Sequence, residues 1–304
     1  MEKQKILTWA PAVIFLVFIC AMLWGSAFPA LKAGFSLLGI ENSTGGKIHF
    51  AAYRFFLAGL MVFAGVALTG RKIILPQKRD FATVWLIGLL QITIQYIFFY
   101  IGLSNSTGVK SAVIAGSGSF FLAGFSHLWI AGDRLNVKKS SGLICGFFGV
   151  VMVNVQKSGF SWEFRFLGEG FIILAVMVSA IAALVVKKSS ARIHPPLLAA
   201  YQLTLGGMML FLIALIFEPP TVIHLSKPVL LLLFYLSFVS AAAFSLWYVL
   251  IKYNQLTNIA AYRFLIPICG TFLSAMLIDS ESLNFVILLS LGLVSAGMIL
   301  TSKK

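Results

Sequence analysis

Acidic residues are scarce in this chain of 304 residues: nine, against 23 lysines and arginines, for a formal net charge of +14. None lies deep within a long apolar run. Small cation exporters bind protons and lipophilic cations at a membrane carboxylate, so that chemistry is disfavoured. Cysteine is rarer still. Cys20, Cys145 and Cys269 all fall inside apolar runs with no paired spacing, so they suggest neither a disulfide framework nor a zinc site. The four histidines are scattered. With no HExxH and no GxSxG, hydrolytic and metal catalysis find no support, and the chain reads as a non-enzyme without cofactor or metal. Charged residues make up only 11% of the chain, where a soluble domain averages about 25%.

What fills the gap is apolar: 60% of residues are hydrophobic. One globular core cannot hide that excess, because it still needs a polar shell. A bilayer can. Ten runs have the length of a spanning helix, at 10–34, 50–69, 82–103, 108–131, 139–156, 167–187, 196–217, 228–251, 258–278 and 284–301. Turn and charge signals such as "ENSTGGK", "GRKIILPQKRD" and "KKSSARIHPP" separate them. The runs are too long and too unpatterned for barrel strands, so an all-α bundle of ten transmembrane helices is predicted. The first run is longer than a signal-peptide core and is read as an uncleaved span. If the N-terminus is cytoplasmic, inner segments hold fifteen lysines and arginines and outer loops hold four, namely Lys47, Lys157, Arg165 and Lys227. This asymmetry places both termini inside the plasma membrane and accounts for the net charge without nucleic acid.

The stretch "FAAYRFFLAG" (50–59) recurs as "LAAYQLTLGG" (198–207). At an offset of 148, Ala51, Ala52, Tyr53, Leu57, Gly59, Met61 and Phe63 meet identical residues. The same offset brings "DRLN" (133–136) onto "ESLN" (281–284) and Gly149 onto Gly297. Two five-helix repeats follow, 1–156 and 157–304. Five is odd, so the second repeat is inverted, an arrangement suited to alternating access around a midplane site.

"MLWGSAFPALKAG", "YRFFLAG", "STGVKSAVIAG" and "LGLVSAGMIL" together resemble the EamA family of the drug/metabolite transporter superfamily. The resemblance spans essentially the whole chain. It implies ten helices, cytoplasmic termini and a central cavity for a small solute, with characterised relatives mostly exporting amino acids or related metabolites. The sequence departs from the family pattern at Gly118, where proline is common, and at Asp133, where glutamate is commoner.

Ionisable residues inside spans cost about 2.5–3.5 kcal/mol each and read first as functional. Four qualify. Lys32 and Lys110 lie toward the outer side, as gate charges or as chains snorkelling to the headgroups. Arg54, expected about a turn inside the second span, reads as a helix bridge or an outer-gate residue. Arg263 precedes Pro267 by four, so a carbonyl freed by proline shares a level with a guanidinium, and Thr271 continues that face. The alternative is a structural kink. Pro29 frees the Gly25 carbonyl beside Ser26 in the same way. Gln91, Gln95, Tyr96, Tyr100, Ser117, Trp24, Trp247 and Tyr248 are candidates for a polar, aromatic cavity wall, with helix packing as the bland alternative. His127 lies near the inner end of the fourth span and reads as interface packing before proton relay. The expectation is a carrier, an exporter of a small metabolite such as an amino acid. Organic anions, including sugar phosphates, form a second substrate class, and a non-transporting membrane scaffold is the rival of another kind. The partners expected are a small solute and the bilayer.

Overall fold

The computed structural model describes residues 6–106, 108–155, 163–217, 226–277 and 285–302. Among the described residues all regular structure is helical. The helices are α1 (Ala10–Leu38), α2 (Thr44–Leu68), α3 (Lys78–Ser104), α4 (Gly108–Trp129), α5 (Val137–Val155), α6 (Phe166–Ser189), α7 (Pro195–Phe217) and α8 (Lys227–Tyr253). Then come α9, built from Leu256–Ala260, a 3-10 turn at Ala261–Phe264 and Leu265–Leu277, and α10 (Phe285–Ser302). Seven helices, α1 to α4 and α6 to α8, are long and apolar enough to cross a membrane. Leu256–Gly270 and Leu288–Thr301 are shorter apolar stretches. The first turns of α5 carry Lys138, Lys139, Ser140 and Ser141, which dilute its apolar content. The chain is a multi-pass membrane protein. Large apolar side chains such as Phe15, Phe234 and Ile216 cover its outside, as lipid contact requires.

Helix ends follow the local sequence. Gly39 adopts a left-handed conformation (φ 65°), and its N–H and that of Ile40 close α1. The Ser43 side chain then accepts from Gly46 N at 2.7 Å and caps α2. The cap starts α2 six residues before the apolar run, so Lys47, expected in an outer loop, sits buried in its first turn.

Packing is pairwise. α2 crosses α7, and α5 crosses α10. α1 packs on α9 and α8, while α4 and α3 pack on α6. α8 packs on α2, and α3 on α7. The two crossings rest on glycine. A Cβ on Gly59 would lie 2.6 Å from Thr204 N, and one on Gly207 would lie 2.6 Å from Phe56 N. A Cβ on Gly149 would lie 2.9 Å from Ser290 O, and one on Gly297 would lie 2.5 Å from Gly142 O. Only hydrogen lets these backbones meet.

Connections at the two ends are clipped by buried charges. Asp133, 2% exposed, accepts from Leu256 N at 2.5 Å, Thr257 N at 3.2 Å and Ser126 Oγ at 2.7 Å. It thereby caps α9 from the α4–α5 connection. Lys139 Nζ donates to Thr257 Oγ1 at 2.7 Å and Gln255 Oε1 at 2.9 Å. Glu169, also buried, pairs with Lys110 at 3.3 Å and accepts from Ser106 Oγ at 2.8 Å. Carboxylates are buried too, at helix ends where backbone N–H groups and lysines meet them.

Candidate functional site

Arg54 lies ten residues past Thr44, about 15 Å along α2 and near its midpoint. The sequence had placed it about a turn inside, because the apolar run hides the capped first turns. The side chain is 3% exposed. Its Nε donates to Ser240 Oγ of α8 at 2.8 Å, and its guanidinium carbon lies 5.0 Å from the centre of the Phe55 ring. Ser240 Oγ donates onward to Leu236 O at 3.0 Å. A charge-assisted hydrogen bond contributes about 1.5–3 kcal/mol and a desolvated cation–π contact about 2. Those are the same order as the cost of placing arginine at the centre of a membrane helix. The two Nη groups have no hydrogen bond to a described residue. Two further pairs of donors are on offer.

Aromatic rings from four helices continue from this point. Phe55 lies 4.5 Å from Tyr96 of α3 and 6.4 Å from Phe244 of α8. Phe244 lies 5.4 Å from Trp24 of α1, and Trp24 lies 5.7 Å from Trp247. Tyr96 leads to Tyr100 at 5.9 Å, and Phe244 to Tyr248 at 6.1 Å. Trp24, Tyr96, Trp247 and Tyr248 are thus brought together, with Arg54 beside them. Phe55, Ser240 and Phe244 were missed by sequence reasoning. Phe and Ser inside a span carry no signal of their own, although Tyr100 and Tyr248 stand at the repeat offset of 148. The Tyr100 and Tyr248 hydroxyls are buried without a hydrogen-bond partner among the described residues.

The other candidates lie elsewhere. Gln91 is in the π-helical stretch Leu89–Ile94 of α3 and donates to Gln95 and, at 3.2 Å, to Ser179 Oγ of α6. This pair lines the α3–α6 seam. Ser26 accepts from Tyr235 OH at 2.7 Å and donates to Leu23 O at 2.8 Å. Ser117 donates to Ile114 O at 2.6 Å within α4. Pro29 lies inside an uninterrupted α1. The level of Gly25 is filled by α9, since a Cβ there would lie 2.8 Å from Gly270 N. The break ahead of Pro267 takes the form of the 3-10 turn that carries Arg263. Arg263 is half-buried, with no side-chain hydrogen bond or ion pair to a described residue, and no described contact ties it to the aromatic cluster. The Thr271 side chain lies outside the described residues. Lys32 is exposed, as snorkelling requires. Lys110 instead is buried and paired with Glu169. His127 is exposed, and its Nδ1 accepts from Leu135 N at 3.3 Å, a loop contact.

The profile of the EamA-like transporter family matches residues 11–155 and again residues 166–303. This chain belongs to that family. Among relatives of this EamA-like chain, the uncharacterized transporter YvbV of Bacillus subtilis (strain 168) is 28% identical over 297 residues, covering 96% of this chain and 91% of its own. An uncharacterized transporter of Archaeoglobus fulgidus is 24% identical over 295 residues, covering 95% of this chain and 96% of its own. A solved crystal structure, 16% identical, superimposes with a TM-score of 0.79 over 95% of this chain and 96% of its own, and so shares the fold. The chain is therefore a membrane transporter of the EamA type, and its aromatic cluster with Arg54 lies between helices both of whose matched segments contribute.

Proposed function

We propose that the protein carries a small solute bearing a carboxylate, such as an amino acid, out across the plasma membrane, with both termini cytoplasmic. The observation that carries this reading is the Arg54 guanidinium. It lies near the middle of α2, held by Ser240 and Phe55 beside an aromatic wall, with its Nη groups making no hydrogen bond to a described residue. Guanidinium groups match carboxylates two-pronged, and aromatic faces accept an ammonium group or an apolar side chain. The mechanism proposed is alternating access by two inverted five-helix repeats. Two observations support it. The family profile matches twice, once in each half. The packing pattern also survives exchange of each helix with the one five places on: α1–α9 becomes α6–α4, α1–α8 becomes α6–α3, α2–α8 becomes α7–α3, and α2–α7 and α5–α10 become themselves.

An organic anion such as a sugar phosphate is the second reading, favoured by a second arginine, Arg263, that has no carboxylate partner among the described residues. The test is flux into proteoliposomes holding the purified protein, across a panel of amino acids, carboxylates and sugar phosphates. Saturable flux of a carboxylate-bearing solute is expected. Flux confined to phosphorylated solutes would select the second reading, and no flux of any solute would favour the scaffold.

A further inference from the structure

Away from the central cluster, a groove of about 540 Å³ opens where α2 ends and α3 and α7 begin. Four permanent cations line it, Arg71, Lys72, Arg79 and Arg192, against one carboxylate, Asp80. They come from the α2–α3 connection, the first turn of α3 and the α6–α7 connection, and two of them, Arg192 and Arg71, are held in place. Arg192 donates through Nε and through Nη2 to Asp80 Oδ1, at 2.7 Å each, and Asp80 is 4% exposed. The Arg71 guanidinium rests on His194 Nε2. Tyr201 OH donates to Ile74 O at 3.2 Å and pins the strand of chain between α2 and α3.

The floor and rim are apolar. Val66 and Leu197 are buried beneath, while Ile74 is 68% exposed and Leu75 77% exposed. Leu68, at the end of α2, is 88% exposed. Large apolar side chains left open beside guanidinium groups, at the level where spanning helices end, match a bilayer interface. Acyl chains lie on one side there and phosphates on the other. A soluble anion would use the cations and leave the apolar rim wet.

We propose that this groove is a binding site for the headgroup of an anionic phospholipid in the leaflet at the basic end of the bundle. The phosphate meets Arg71, Lys72 and Arg192, and the glycerol and first methylenes lie against Ile74 and Leu75. A lipid seated there bridges the α2–α3 and α6–α7 connections, one from each half of the chain, and braces the Asp80–Arg192 contact that already joins them.

The experiment uses the full chain in neutral detergent micelles with a trace of labelled phosphatidylglycerol. The wild type should bind it in preference to labelled phosphatidylcholine and gain thermal stability with it. The double variant Arg71→Gln, Lys72→Gln should bind roughly thirtyfold more weakly, at about 1 kcal/mol per interfacial cation. The charge-keeping double variant Arg71→Lys, Lys72→Arg should retain most of the binding. The control Arg134→Gln, Lys138→Gln removes the same charge from the exposed stretch at the start of α5 and should change little. Three outcomes overturn the proposal. Equal loss in the control would mean general surface charge. Equal binding of phosphatidylcholine would mean an apolar groove alone. Displacement by inorganic phosphate or glycerol phosphate at the lipid's own concentration would mean a soluble-anion site.

Discussion

At the scale of single residues, Arg54 carries the largest expectations. Arg54→Ala removes the two Nη donors along with the Ser240 contact, so flux of a carboxylate-bearing solute should fall by about tenfold to a hundredfold with the protein still in the membrane. Arg54→Lys should recover part of it, because a point charge replaces one prong of two. Normal flux in the alanine variant at normal abundance would assign Arg54 to structure alone. Proteoliposome initial rates decide between these. His194 supplies a pH expectation outside the spans. Burial, then Arg71 and Lys252, hold its pKa below the ordinary 6.5, so the fold favours the neutral imidazole that accepts from Arg71. Its contribution to stability is complete above the unfolded value. It is lost as pH falls from 6.5 through the depressed folded value. Thermal midpoints of the wild type should therefore decline over that interval, and His194→Gln should flatten the decline. An unchanged slope in the variant would remove His194 from the acid response. The arginine at 54 was legible as a charge inside an apolar run. Its depth was not, because the Ser43 cap starts the helix in residues that carry no apolar signal.

At the scale of helices, close crossings decide what each glycine tolerates. Gly207→Ala would drive a Cβ to 2.6 Å from Phe56 N, a backbone atom that cannot rotate away. The α2–α7 crossing should open, at a cost of about 1–3 kcal/mol from overpacking. Gly65 lies in the same α2 with nothing within 4 Å of its would-be Cβ. Gly65→Ala should stabilise by about 0.5–1 kcal/mol through helix propensity. Melting curves of the two variants in one detergent should move in opposite directions. A fall in both would show that α2 responds to bulk at any position. The α9 cap is a second case. Asp133→Ala leaves Leu256 N and Thr257 N without their acceptor, and Lys139 without a nearby carboxylate. A loss of about 1–2 kcal/mol is expected, the upper end for a cap. Asp133→Asn should retain part of it. The order of helices was readable from apolar runs and turn residues, since both follow from local chemistry. The cap was not, because a carboxylate reaching an N-terminus 123 residues away leaves no local trace.

At the scale of the whole molecule, the recurrence of residues at one offset was legible in the sequence, and packing gives that recurrence a physical reason. Gly59 with Gly207, and Gly149 with Gly297, stand at one offset and fill the α2–α7 and α5–α10 crossings. Reciprocal contacts of this kind require the same small residue twice. The aromatic cluster was only half legible, since which phenylalanines face inward depends on four helices converging. The proposed mode of carriage carries an energetic prediction. Among the described residues, the buried carboxylates Asp80, Asp133 and Glu169 lie at helix ends and none at mid-span. A pH step or a sodium step should therefore fail to push solute above equilibrium in proteoliposomes, while downhill flux proceeds in both directions. Accumulation driven by either gradient would refute passive carriage.

Arg54 and Ser240 are 186 residues apart in the chain. Ribosomes add roughly 5–20 residues per second. The guanidinium is therefore made roughly 10–40 seconds before the hydroxyl that will accept from it. Through that interval the nascent first half carries a charge at the centre of a helix with Phe55 beside it and no Ser240 to accept from it. Chains released before residue 240 should be the ones that quality-control proteases remove, however complete their early helices are.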